Sequence, residues 1–573
     1  MKKRIIWLVL SCFMVAILVL SSCTTTPTPK PTPAPGPEVP KYGGTFTGVL
    51  DPPDAGFDDF NAGTSKTFIL QNTNEDLQMG DWAKGPAGTD ETNFWISDYQ
   101  YAFQTGCLAE SWELPDADTV IFHIRKGVHW HDKPPVNGRE LTAEDVAFSL
   151  TRVLATPGSV SHKNYGKVWF VSAEATDKYT VVVKGHDTAA MRTGRLWNNL
   201  TNGIAIVPPE VVEKYGDMRD WKNSLGTGPF MLTDFTPASS ATMVRNPNYW
   251  GKDPLHPENQ LPYLDSVIWM DIRDKSTQLS ALRTGKVDRV MTIGWEDGES
   301  LIETNPELQF KKELTARVLG MWWRVDKPEL PFADLKVRRA LQMAIDRQAI
   351  ADSFYGGNAM ILSTPVAPFF KNIYTPLEEL PESIRELYEY HPEKAKELLT
   401  EAGYPDGFKT SIVTPSDAMY VDMLSIVKDY WSKIGVDLEL KTHDYSVFKS
   451  MQMGKSHEEM IVYTQTLGSP YTQLYVYPEE SPYNLSYVND PYISEQQSQI
   501  WAFENMKDEA KQNELLKESV LQQLEQAYII TPPCPYVYTM WQPWVQNYHG
   551  EFSVGYASRF NFPKWIWLDQ DLK

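Results

Sequence analysis

Residues 108–154, LAESWELPDADTVIFHIRKGVHWHDKPPVNGRELTAEDVAFSLTRVL, constrain the fold more tightly than any other stretch of the chain. Val120, Phe122 and Ile124 alternate with Ile121, His123 and Arg125, the period of two expected of a strand with one apolar face. Asp116 and Asp118 precede it in a turn-like segment, and a loop rich in His, Asp, Pro and Gly follows. Thr142, with Asp145 three residues on, then has the form of a capping box opening a helix. Val146, Leu150, Val153 and Leu154 supply that helix's buried stripe. Strand, polar loop and capped helix make an α/β unit, which by itself names no function.

The same grammar recurs downstream. Leu264–Ile272 reads as a strand, Ser276 as the cap of a helix with Leu279 and Leu282 on one face, Gly285 as its stop and Val287–Ile293 as a returning strand. Beyond Glu313 come an extended apolar run, Val318–Val325, and a helix capped by Asp334 with Val337, Leu341, Ala344 and Ile345 at helical spacing. Helices over His391–Gly403, Ser416–Ile434 and Tyr445–Met453 alternate with strands at Val436–Leu440 and Met460–Tyr463, and Tyr536–Met540 reads as a last extended run. A chain of 573 residues is too long for one core, so two or three α/β lobes are expected.

The N-terminus is a targeting segment. Lys2, Lys3 and Arg4 form a basic region and Ile5–Leu20 an apolar one, shorter than the ~20 residues a membrane-spanning helix needs. Leu20-Ser21-Ser22-Cys23 matches a bacterial lipobox, so residues 1–22 are expected to be removed and Cys23 lipidated. Their removal takes away Lys2, Lys3 and Arg4 and no acid, moving the net charge from −21 to −24. That balance argues against a nucleic-acid partner, which needs a basic face. Thr24–Pro40 is a Pro-rich tether, extended at about 3.1 Å per residue. Only Cys107 and Cys534 then remain, which is not a disulfide scaffold, and the sequence leaves open whether they meet.

Residue identities carry a resemblance. Ala109, Ser111-Trp112, Phe122, Arg125, Gly127-Val128, His131-Asp132, Thr142–Val146 and Phe148-Ser149 resemble the signature of the family 5 extracellular solute-binding proteins of ABC importers. Gly226–Phe230, Arg245–Trp250 and Arg338–Arg347 are similar to further stretches of that family. One departure is the longer loop Lys133–Glu140. The resemblance implies an α/β fold like that of the type II periplasmic binding proteins: two lobes joined by a two-strand hinge, with a small extra subdomain in the first. On that pattern residues 41–65, 206–312 and 541–573 form lobe I, 66–205 its inserted subdomain and 313–540 lobe II, after the signal peptide (1–22) and the lipidated tether (23–40). It further implies capture of a peptide or similar polar solute for delivery to a membrane permease by a monomeric, lipid-anchored protein without a cofactor.

Peptide-binding members of the family anchor the ligand's α-ammonium on an Asp within a segment like Trp-Thr-Gly-Asp-x-Gly-x-Pro. Tyr463-Thr464-Gln465-Thr466-Leu467-Gly468-Ser469-Pro470 resembles it, with Thr466 at the Asp position. A neutral hydroxyl cannot form the charge-assisted pair an ammonium wants, so the ligand class stays open among backbone-held peptides, sugars and other polar solutes. Ligand contacts are expected from Trp295, Trp322, Trp323, Tyr463, Thr464, Gln465 and Thr466. Trp295 and Thr464 follow strand ends, where the loops of an α/β sheet face ligand, although Trp295 also reads as an ordinary packing residue. Trp322 and Trp323 alternate on one strand, so one is expected toward the cleft and the other toward the core.

Other chemistry is less well supported. Neither a G-x-S-x-G elbow nor an H-E-x-x-H helix occurs. His129 and His131 would share a face of an extended segment and could hold a metal, but a structural role is favoured and no metal is expected. Gly226-Thr227-Gly228 lacks phosphate-loop spacing and reads as a turn, and Arg338-Arg339 as the solvated face of a helix. Seventy-four acids guarantee many close carboxylate pairs, of the kind a glycosidase uses, so a secreted carbohydrate-active enzyme or oligosaccharide binder is the alternative.

Overall fold

The computed structural model describes residues 39–50, 57–62, 69–95, 101–186, 197, 200–201, 203–315, 317–363, 366–467, 481, 483–500, 502, 505, 508–555 and 560–573. The signal segment, Cys23, most of the tether and Gly468–Pro470 lie outside the described residues. The first strand, β1 (Thr45–Leu50), starts a large sheet that the chain leaves at once to build a small one. That small sheet holds β2 (Ala109–Glu113), β3 (Thr119–Ile124), β4 (Phe170–Asp177) and β5 (Thr180–Gly185), antiparallel in the order β2-β3-β5-β4. Strict alternation in β3 buries Val120, Phe122 and Ile124 in the cluster that holds Val146, Leu150 and Val153 of helix α1 (Ala143–Leu154). The capping box is formed: Asp145 Oδ2 accepts the Thr142 backbone N–H at 2.9 Å.

Back in the large sheet come β6 (Phe230–Thr236), β7 (Ser240–Arg245) and β8 (Ser266–Asp271), then helix α2 (Lys275–Arg283), β9 (Arg289–Gly294), helix α3 (Trp295–Thr304) and β10 (Gln309–Leu314). Asp274, not Ser276, caps α2, because its carboxylate takes the Thr277 N–H at 2.8 Å and places Ser276 inside the first turn. Gly285, with φ of +66°, turns the chain out of α2 where a side chain would be strained.

Past Thr315 the chain belongs to a second sheet. Its elements are β11 (Arg317–Trp323), α4 (Leu335–Met343), the short β12 (Ala359–Met360), α5 (Pro392–Glu401), β13 (Phe408–Pro415), α6 (Ala418–Ser432), β14 (Val436–His443), α7 (Tyr445–Met453), β15 (Met460–Thr466) and β16 (Ile529–Ile530). It returns through 531–533 to β17 (Cys534–Trp541). The second sheet runs β14-β13-β15-β11-β16. The large sheet runs β10-β17-β9-β1-β8-β7-β6, with β12 paired to β17. Asp334 caps α4 as its sequence position predicts. Arg338, expected on a solvated face, is instead buried against the Gln526, Phe332 and Ala333 carbonyls, and only Arg339 pairs with an acid, Glu386. Cys107 and Cys534 are both free and buried, in different clusters.

Candidate functional site

Two joints link the three larger sheets, and buried polar groups lie at each. At the first, Glu75 is closed to solvent and its carboxylate is fully engaged. Oε1 accepts from the Tyr249 hydroxyl (2.8 Å) and the Cys107 thiol (3.5 Å), and Oε2 from Thr227 Oγ1 (2.9 Å) and Trp250 Nε1 (2.8 Å). His131 completes the joint. Its Nε2 lies 3.0 Å from the Gly228 carbonyl and its Nδ1 accepts the Gly226 N–H at 3.3 Å, an arrangement that puts the proton on Nε2. Burial holds its pKa down at about 4, so the ring is neutral. Gly226 cannot carry a side chain, since a Cβ there would stand 2.0 Å from the Thr73 carbonyl oxygen. Close packing thus explains the Gly-Thr-Gly, and both ring nitrogens of His131 are spent on backbone.

A second set of ion pairs ties α1 down. Asp145 takes a bidentate pair from Arg139 (2.6 and 2.8 Å), and the same guanidinium reaches Glu210 at 2.5 Å. Arg152 holds the fully buried Asp58 through two bonds of 2.6 and 2.9 Å. Sequence inspection missed Glu75, Asp58 and Glu210 because their partners are remote in the chain.

The second joint lies between the two large sheets. An apolar cluster draws Trp95 from one side and Val318, Leu467, Phe370 and Leu516 from the other, with Phe552 packed against it. Trp95 Nε1 donates to the Leu314 carbonyl at 2.7 Å, next to the crossing. In β15, Gln465 is directly opposite Val318 of β11, and cross-strand partners project from the same face. Gln465 therefore points to the side of that cluster. It has no exposed surface, and among the described residues neither its amide oxygen nor its amide nitrogen has a hydrogen-bond partner.

The other expected contacts divide. Tyr463, opposite Gly320, shares the Gln465 face, and its ring meets Trp322 edge-on at 6.0 Å. Thr464 is on the other face, where it hydrogen-bonds Tyr420, a phenol whose pKa is raised by burial and lowered by that bond. Thr466 closes β15 opposite Arg317. Trp322 and Trp323 do alternate, but neither reaches an open cleft: both have no exposed surface, and Trp323 stacks on Phe332 at 5.7 Å. Both faces of β11 are covered, so alternation selects between two interiors. Trp295 is not in a loop after a strand. It is the first residue of α3, and its ring edge lies against Gly356, where an added Cβ would come within 3.0 Å.

A family model described as bacterial extracellular solute-binding proteins, family 5 Middle, matches residues 104–484. The chain belongs to this family. Among curated relatives, heme-binding protein A of Haemophilus influenzae is 29% identical over 364 residues, 60% of this chain and 62% of that protein. A glutathione-binding protein of Salmonella choleraesuis is 27% identical over 358 residues, 61% of this chain and 64% of the relative. The chain therefore aligns with less than two thirds of the length of these family 5 relatives. Two solved structures are similar over nearly their whole length. HbpA2 of Haemophilus parasuis has a TM-score of 0.72 at 21% identity, covering 92% of this chain and 100% of that one. The periplasmic binding protein DppA of Helicobacter pylori, in complex with the peptide STSA, has a TM-score of 0.67 at 22% identity, covering 92% and 99%. They establish the fold of this family 5 protein as that of a type II periplasmic binding protein. Two α/β lobes are joined by two strands, and the first carries an extra small subdomain.

Proposed function

We propose that this chain is the capture component of an ABC importer, a binder and not an enzyme. It closes two lobes over a peptide or related polar solute and hands it to a membrane permease. The lobe boundaries are those drawn from the sequence, except that β10 and β17, which pair within the large sheet, go with the first lobe. Lipid on Cys23 keeps the monomer at the outer face of the cell membrane. The observation that carries the reading is Gln465: a buried amide without a partner among the described residues, beside a cluster to which both lobes contribute. A buried, unpaired amide costs about 1–3 kcal/mol, which a ligand's own peptide-like amide would offset. Relatives named as di/tripeptide- and glutathione-binding proteins support the same reading. With Thr466 where a carboxylate would hold an ammonium, the solute is gripped through amides and rings and not through its free amine. Calorimetry with matched free and N-acetylated di- to tetrapeptides tests this, and wild type is expected to bind both forms within about threefold. Thr466→Asp is expected to favour the free amine alone. A wild-type preference for the free amine of a hundredfold would refute the grip, and no binding of any peptide would refute the solute class.

A further inference from the structure

Lobe I contains a cavity that shares no residue with the Gln465 face. Its volume is about 130 Å³, and Met79, Trp82, Tyr249, Trp250, Lys564 and Trp565 form its walls. Trp82 and Trp565 stack with centroids 4.8 Å apart and planes 3° from parallel, so one side is a rigid aromatic slab. Lys564 is only 5% exposed, an unusual place for an ammonium. Its Nζ has a thioether, Met79 Sδ at 3.4 Å, as its hydrogen-bond acceptor and sits 4.1 Å from the centre of the Trp565 ring. Sulfur is a weak acceptor and a ring supplies only partial compensation for a buried charge. Among the described residues the buried Trp82 indole N–H has no acceptor.

Acids nearby do not answer these donors. Glu75, behind Tyr249 and Trp250, already accepts from four groups. Asp81, also in the wall, caps the following turn through the Ala83 N–H, and no ion pair links it to Lys564. Lys252 adds a second positive charge to the lining. The pocket therefore offers hydrogen-bond donors, net positive charge and flat apolar walls, in a space slightly smaller than the ~150 Å³ that holds a benzene ring.

We propose that this pocket is a binding site for a small carboxylate of about three or four carbons, distinct from the interlobe cleft. Its carboxylate would pair with the Lys564 ammonium, a charge-assisted bond, and its short chain would lie on the Trp82–Trp565 slab. The test uses the whole folded protein, ¹⁵N-labelled, titrated with propionate and with its neutral isostere propionamide while the tryptophan indole N–H signals are followed. Trp82→Phe and Trp565→Phe assign the two signals. The expected result is saturable movement of both with propionate, at least about tenfold weaker with propionamide, lost in Lys564→Met and kept in Lys252→Ala. Equal response to the two probes, response surviving in Lys564→Met, or no response to propionate, which would leave ordered water as the occupant, overturns the proposal. Should Lys564→Met fail to fold, the contrast between the two probes on wild type decides alone.

Discussion

Glu75 and Gln465 are both closed to solvent, and each sits at a joint between sheets. Around Glu75 four donors converge on two oxygens, and His131 beside it spends both ring nitrogens on backbone. Around Gln465 nothing in the described chain answers either amide atom. In a low-dielectric interior a satisfied polar network rigidifies, whereas an unsatisfied group is a standing cost. The difference teaches which joint is permanent. The small subdomain is fixed to its lobe by groups the chain supplies itself, while the interlobe joint holds a polar group that no described residue answers and that, on the function proposed above, the solute would answer.

The largest expected effect tests the permanent joint. Glu75→Ala would orphan the Tyr249, Trp250 and Thr227 donors and is expected to cost about 5 kcal/mol in chemical denaturation, at about 1–3 kcal/mol for each stranded group. A loss under about 2 kcal/mol would mean that water can replace the carboxylate, and the contrast with Gln465 would collapse.

Acid sharpens the same comparison. With a folded pKa of about 4 against an ordinary 6.5, His131 binds a proton more readily when the chain is unfolded. Stability should thus be intact above pH 6.5 and fall as the pH drops toward 4, by roughly 3 kcal/mol at the end of that window. His457, in lobe II, is buried with the same depressed value and adds a loss of the same sign. Denaturation midpoints across pH 4–7 should fall less steeply for His131→Asn than for wild type. An unchanged slope would place the acid sensitivity elsewhere.

The smallest stability change is expected at Gln465. Gln465→Leu removes both orphaned atoms at similar volume, so stability should hold or rise by about 1 kcal/mol while affinity for a bound peptide falls by about tenfold. A clear destabilisation would show that the amide has a partner within the fold, which would end its role as a waiting group.

Much of this was legible in the sequence where the physics is local. The period of two in β3, the Thr142–Asp145 capping box and the Asp334 cap each depend on neighbours within a few residues, and each is formed. The Asp274 cap was missed because Ser276 is an equally good residue type two positions on, and only backbone geometry separates them. The two joints were illegible for a different reason. Glu75 meets Thr227, Tyr249 and Trp250 across more than 150 residues, and no spacing rule reaches that far. Trp322 and Trp323 show the limit of periodicity, which assigns opposite faces correctly and says nothing about what covers them.

The position of β17 sets an order of assembly. This strand, Cys534–Trp541, is hydrogen-bonded between β9 and the edge strand β10, so β10 cannot join the large sheet through it until residue 541 has been made. Every strand of the second sheet lies between Arg317 and Ile530 and can pair before then. During synthesis and export the second lobe can therefore be complete while the first still presents two open strand edges, a form that invites pairing with other chains. A chaperone that shields extended edges would matter most in that interval, and truncation before Cys534 should yield one folded lobe and one aggregating one.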